Sequence, residues 1–334
     1  MSRYFTKLLK KSLKTRKDND FKMSNFIFSL NATVPVFFVI FMGWVFRRTG
    51  IVDERFSEVN DKLSFKILFP VLLFRDISAA DLKQDFDIKF AAFCFISTTV
   101  CFCTIWILAE IFIKDKTITG SFVQGSFRGS AAILGVAFVE NMYGNAGMVP
   151  LMIVAAVPLY NIFSVIILTV RGKESKKLSF KKLMLSIVKN PMIIGIVSGL
   201  PFAVLSIDFP DMVDKCINNL SSLAMPLALL ALGAGFQGKN AIKNIKPSII
   251  ASLIKLVIQP AIVLPIAIMM GFKNQEIIAL LIMTGAPTTV SSFIMAKNMN
   301  NDAELASSIV VITTLFSSVT ITAIIFIFKT FGYV

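Results

Sequence analysis

The chain is 334 residues long, 55% hydrophobic and only 16% charged, with a formal net charge of +14. Soluble domains run nearer to about 45–50% apolar and about a quarter charged, so an ordinary soluble domain is excluded. The sequence contains no histidine, which removes His-based nucleophile systems and every His-ligated metal site together.

Residues 1–24 form a basic leader containing Arg3, Lys7, Lys10, Lys11, Lys14, Arg16, Lys17 and Lys22. No apolar core separates these charges from a cleavage site, so a signal peptide is a poor explanation. The working start is expected at Met23, and the alternative is a basic helix lying on the membrane surface. A membrane helix needs about 20 mostly apolar residues. Such stretches follow near 26–46, 62–78, 89–113, 119–139 and 148–170, then near 190–207, 214–236, 247–271, 275–297 and 304–328. The second is the most polar, since Lys62 and Lys66 open it and Pro70 interrupts it; lysines near a helix end can snorkel to the interface. Asp61 and Lys62 are expected at that interface. Cys94, Cys101, Cys103 and Cys216 form no CxxC pair and are expected to be small buried hydrophobes. The predicted fold class is an all-α polytopic membrane protein of ten transmembrane helices.

Loop charge orients it. The loops after the first, third, fifth, seventh and ninth spans hold sixteen basic residues, seven of them in the basic loop 171–189, whereas the other loops and the C-terminus hold six. The positive-inside rule puts the basic loops in the cytoplasm of a cell-membrane protein and both termini outside.

A shift of 156 residues lays Pro35 on Pro191, Gly43 on Gly199, Pro70 on Pro226, Gly129 on Gly285 and Asn145 on Asn301, and superposes the five spans of 25–170 on those of 190–334. Five spans is an odd number, so the second set enters from the opposite side. Two inverted five-helix repeats result, the architecture of many secondary transporters; two unrelated bundles with coincident spacing are the alternative.

The fourth and ninth spans carry small, hydroxylated and Gly or Pro residues mid-span: Gly125-Ser126-Phe127-Arg128-Gly129-Ser130 and Thr284-Gly285-Ala286-Pro287-Thr288-Thr289-Val290-Ser291. Corresponding interruptions in two halves point to a midplane site, and the N-terminus of a broken helix favours an anion. Close packing through small residues is the competing explanation. Arg128 sharpens the choice, because a charge at the centre of a span costs about 2.5–3.5 kcal/mol on insertion scales and needs a partner or a watery cavity. Its planar fork matches a carboxylate; an ion pair with Glu110 or Glu140, or snorkelling, would serve instead. Lys255 and Gln259, one turn apart, and Asn161, after Pro158, are expected to bond helix to helix, with a proton-coupled or anion-sensing role open for Lys255. The candidate substrate-binding set is Arg128, Gly129, Ser130, Asn161, Gly285, Pro287, Thr288, Thr289 and Ser291. No metal, cofactor or catalytic residue is expected, and no P-loop run occurs, so any energy would come from gradients.

The stretches Phe127-Arg128-Gly129-Ser130 with Leu134-Gly135, Tyr143-Gly144, Pro158-Leu159-Tyr160-Asn161, Asn190-Pro191, Pro226 through Gly233, and Ala286-Pro287 through Phe293 with Ala296-Lys297 resemble the auxin efflux carrier family in its bacterial permease branch. The block after Ala286, with Asp302-Ala303-Glu304-Leu305, is the most specific. The resemblance implies unwound fourth and ninth helices crossing near the substrate. It implies a scaffold of helices 1, 2, 6 and 7 and a moving domain of helices 3–5 and 8–10. It further implies export or exchange of organic monoanions and dicarboxylates such as auxins, malate and malonate. One departure is that the fourth-span crossing has Ser130 and no proline; Pro287 stands only in the ninth. The expected function is secondary-active transport of a small organic carboxylate by alternating access, with a ligand-binding membrane sensor as the alternative and no enzymatic activity. The expected partners are a small organic anion and the lipid bilayer, with a homodimer admitted and nucleic acid excluded.

Overall fold

A computed structural model describes residues 35, 37–79, 87–131, 139, 142–144, 147–172, 180–205, 207–234 and 245–334. The basic leader 1–24, Leu134, Gly135, Glu140, Asn145 and the part 173–179 of the basic loop lie outside the described residues. Among the described residues there is no strand.

Helix α1 (37–48) turns into a rod made of α2 (Glu54–Leu63), a wide π-turn (Ser64–Leu68) and α3 (Phe69–Ser78). Then follow α4 (Ile88–Phe112), α5 (Thr119–Phe127), α6 (Val149–Arg171), α7 (Phe180–Val188), α8 (Pro191–Leu205), α9 (Asp211–Ser222) and α10 (Ala224–Ala234). A second rod joins α11 (Ile245–Leu253), a π-turn (Ile254–Ile258) and α12 (Gln259–Met269), before α13 (Gln275–Gly285), α14 (Ser291–Asn298) and α15 (Ala303–Thr330). Five helical stretches are long and apolar enough to cross a membrane: Ile88–Phe112, Val149–Arg171, Asp211–Ala234, Ile245–Met269 and Ala303–Thr330. At about 1.5 Å per residue, α4 alone spans about 37 Å, more than the hydrocarbon core requires.

Local chemistry explains the boundaries. Asp53, Asp87 and Asp302 each accept a backbone N–H of the helix they precede, from Phe56 at 2.7 Å, Lys89 at 2.7 Å and Leu305 at 2.8 Å. The cap at Asp53 is why the second helix starts at Glu54 and not near 62, leaving Lys62 and Lys66 exposed on the rod. Both π-turns run into a proline, Pro70 and Pro260, whose ring and missing N–H a regular turn does not accommodate. Replacing Asp302 by alanine is expected to cost about 1 kcal/mol of stability, with Asp302→Asn close to wild type because it keeps the acceptor. Unfolding midpoints of the two variants in detergent check this.

Contacts sort the helix ends into two groups. Glu110 pairs with Arg171 and Lys116, and Asn301 donates to the Leu168 carbonyl at 2.9 Å, joining the ends of α4 and α6 to the α14–α15 turn. At the opposite end, Lys89 donates to the Met270 carbonyl and the Asn274 N–H to the Tyr333 carbonyl, joining the start of α4, the α12–α13 turn and the C-terminus.

Innermost lie α5, buried along its whole length, and α13, buried from Ile277 onward. The outer face is apolar, with Phe95, Val100, Ile107, Ile262, Leu315 and Phe316 exposed, a surface suited to lipid and larger than a soluble monomer carries. This corrects one expectation, that all four cysteines are buried. Only Cys94 is buried; Cys103 and Cys216 are exposed because their helix positions point outward. Asp61 is buried, and the Lys297 ammonium of α14 pairs with it.

Candidate substrate site at the helix crossing

Both interrupted helices break where the sequence turns to small residues. α5 ends at Phe127, and Arg128 is extended (φ −92°, ψ 146°). α13 ends at Gly285, and Ala286 is extended (φ −65°, ψ 151°). The two extended segments meet: the Ser130 N–H donates to the Pro287 carbonyl at 2.8 Å. Proline has no N–H to offer a continuing helix, so Pro287 favours the break and leaves the carbonyl four residues before it, that of Met283, without a helical partner.

A broken helix exposes its last four carbonyls, which inside a membrane must find donors. At the end of α5 all four do. The Gln124 carbonyl accepts from the Arg128 N–H at 3.3 Å, Gly125 from the Thr288 hydroxyl at 2.7 Å, Ser126 from Gln259 Nε2 at 2.7 Å and Phe127 from Lys255 Nζ at 3.5 Å. At the end of α13 the Ile282 carbonyl accepts from the Ala286 N–H at 3.0 Å. The Met283 carbonyl accepts from both Tyr160 Oη at 2.7 Å and Lys255 Nζ at 3.1 Å. Lys255 and Gln259 thus bond helix to helix, and Thr288, whose N–H donates to Thr313 Oγ1 at 3.0 Å, is turned into the packing.

The other side of the crossing is a narrow, partly open cleft. Arg128, Gly129, Ser130, Asn161, Thr289 and Ser291 line it, with Asp76, Tyr160 and apolar side chains of the first rod and α10 opposite. Arg128 is 4% exposed. Its guanidinium donates to Asn161 Oδ1 at 3.3 Å, Ser164 Oγ at 3.3 Å, Ser291 Oγ at 2.9 Å and Met295 Sδ at 2.9 Å, while the buried Nε has no hydrogen-bond partner. Glu110 is not its counter-ion, being held by Arg171, Lys116 and Trp106. Among the described residues no carboxylate lies within 4.0 Å of Arg128 or of Lys255, which is fully buried.

Of the nine candidate residues, six therefore line one cleft. Pro287 joins the crossing through its carbonyl, Thr288 caps α5, and Gly285 packs against Leu281 and Pro260 behind it. Ser164 and Met295 were not foreseen, although Ser164 lies three residues beyond Asn161 and so shares its helix face. Asp76 also went unread; beside Arg75, which donates to it at 2.7 Å, it has the pattern of an ordinary surface pair.

The sequence matches the membrane transport protein family over residues 28–325. An uncharacterized transporter of Methanocaldococcus jannaschii is 24% identical over 86% of this chain and 95% of its own length. A Rhizobium meliloti protein named "Putative malonate transporter" is 24% identical over 89% of this chain and 94% of its own. Auxin efflux carrier component 8 of Arabidopsis thaliana is 26% identical over 39% of this chain and 36% of its own. The chain therefore belongs to the auxin efflux carrier family of membrane transport proteins and is a multi-pass membrane transporter.

Proposed function

We propose that this transporter is a secondary-active carrier of small organic carboxylates, binding its substrate in the cleft at the crossing and exposing it alternately to the two sides. The observation that carries this is Arg128, a deeply buried cation lining the cleft with no described carboxylate in ion-pair reach. Such charges are expensive within a membrane and mark substrate or ion pathways. Arg128 faces the cleft with its Nε unpaired, beside the hydroxyls of Ser130, Thr289 and Ser291. The N-terminus of α14 starts there too, and its dipole favours an anion. The malonate named for the Rhizobium relative makes a short dicarboxylate the first compound to try.

Ten spans in two inverted repeats, 25–170 and 190–334 around the loop 171–189, supply the physical basis for alternation. Element bounds support this arrangement: α4 (Ile88–Phe112) and the second rod (Ile245–Met269) are offset by 157 residues at both ends. So does a reciprocal contact. A Cβ on Gly43 would overlap the Leu230 carbonyl oxygen, and one on Gly199 would lie 2.8 Å from that of Phe74; a shift of 156 converts the first pair into the second. In this arrangement the first rod and α1, α8, α9 and α10 stay fixed while the crossing moves against them. Both termini lie outside the cell membrane, with the basic loops in the cytoplasm.

The test is uptake of labelled malonate, malate and indole-3-acetate into proteoliposomes loaded with the same unlabelled compound. Saturable counterflow of at least one of them is expected. Saturable binding of a carboxylate without any counterflow would overturn the carrier in favour of a sensor.

A further inference from the structure

Lys255 sits behind the cleft, in the π-turn of the second rod, with its ammonium between the ends of both broken helices. It donates to Phe127 O at 3.5 Å at the end of α5 and to Met283 O at 3.1 Å near the end of α13. No other described side chain bonds to terminal carbonyls of both half-helices. Gly129 makes room for it: a Cβ there would come within 2.9 Å of Nζ and 3.2 Å of the Ala286 carbonyl oxygen. Each helix C-terminus carries about −0.5 of an elementary charge, so the two ends together present about −1. Half-helix C-termini facing each other in broken-helix carriers are where a coupling Na⁺ or proton is held. Here a single ammonium already matches that charge.

We propose that Lys255 is the resident cation of the crossing: it fills the place of a bound metal ion, so that the assembled site needs no Na⁺ and the charge of Arg128 is left for the substrate. Dehydrated Na⁺ at the same spot would meet a fixed positive charge and no uncompensated carbonyl pair. Truncating the side chain reverses this. Lys255→Ala leaves about −1 of backbone charge unbalanced beside an empty space the length of a lysine stem, which a small cation can enter.

The proposal rests on the carrier reading only for its flux measurement, so the experiment has two arms. In the first, unfolding midpoints of the purified full-length protein in detergent are compared in sodium chloride and N-methylglucamine chloride at equal ionic strength, with and without methylammonium chloride. The wild type and Lys255→Arg are expected to unfold at the same temperature in all of them. Lys255→Ala is expected to unfold earlier and to be restored, saturably, by Na⁺ or methylammonium. In the second arm, malonate counterflow by the wild type is expected to be unchanged when Na⁺ is replaced. For Lys255→Ala it falls about tenfold or more without a small cation, because the partner charges are left buried and unpaired. A saturable rise of the wild-type midpoint with Na⁺ overturns the proposal, as does a Lys255→Ala midpoint that neither cation raises. If Lys255→Ala yields no folded protein, the wild-type and Lys255→Arg comparisons still decide: Na⁺ dependence in either overturns it. Failure of malonate counterflow with Na⁺-independent midpoints in the wild type would count against the substrate, not against the lysine.

Discussion

Arg128→Ala is expected to lower carboxylate flux at limiting substrate by about a hundredfold while leaving the protein folded. A hydrogen bond to a charged group contributes about 1.5–3 kcal/mol, so the one that the unpaired Nε–H can give a carboxylate is worth up to about two decades in affinity. The effect should fall mainly on the concentration dependence, because the lost contact is made on binding. Arg128→Lys separates charge from geometry. It keeps one positive charge but cannot hold Asn161, Ser164, Ser291 and the substrate together with a single planar fork, so a loss of about tenfold is expected. Wild-type flux in Arg128→Ala would end the assignment of the carboxylate to this side chain. Folding is expected to survive because the guanidinium's partners are a serine pair, an amide and a thioether and not a carboxylate left bare.

Much of the crossing was legible in the chain because its cause is local. Gly125, Ser126, Gly129 and Ser130 weaken one helix, and Pro287 with its run of hydroxyls weakens the other, at positions that correspond under one fixed shift. Backbone that leaves a helix inside a membrane must be lined by protein or a cavity, so two interruptions point to one site. What could not be read was which way each hydroxyl turns. Thr288 and Thr289 are adjacent and alike, yet Thr288 caps α5 while Thr289 faces the cleft. That division depends on the rotation of an extended segment, set by the Ser130–Pro287 bond between halves 157 residues apart, and not on residue type. Asp61 hid its partner for the same kind of reason. Its sequence neighbours are the charges of a helix end, and its partner Lys297 lies more than 200 residues away on α14.

The two buried cations divide their labour along the same line. Lys255 answers charges that belong to the backbone, two helix ends that exist only because the helices break. Arg128 is held by neutral groups and keeps an unpaired donor. One cation therefore completes the structure and the other is available to a ligand. A conservative exchange at Lys255 should be read in stability and cation dependence, and one at Arg128 in substrate concentration dependence.

Gly43→Ala is expected to be among the most damaging single methyl additions in the scaffold, although it touches no site residue. A Cβ at Gly43 would overlap the carbonyl oxygen of Leu230 in α10, and its Cα and carbonyl carbon lie 3.0 Å away. The obstacle is backbone, so no rotamer change relieves it; α1 and α10 must separate. Overpacking of this kind costs about 1–3 kcal/mol and occasionally more, and here it also opens the fixed frame against which the crossing would move. The expected result is a lower unfolding midpoint and a reduced yield of folded protein, with the malonate concentration dependence of the surviving fraction unchanged. Gly50→Ala is the comparison that isolates the cause. Gly50 has φ +78° with nothing within 4 Å of an added Cβ, so its cost is only that of a left-handed backbone without glycine, about 1–2 kcal/mol. Gly199→Ala, 2.8 Å from the Phe74 carbonyl oxygen, repeats the Gly43 contact in the other half and should repeat its effect more mildly, since the approach is less close. A Gly43→Ala protein as stable as wild type would mean that α1 and α10 are not packed backbone to backbone, and the reciprocal contact that supports two inverted repeats would lose one of its members.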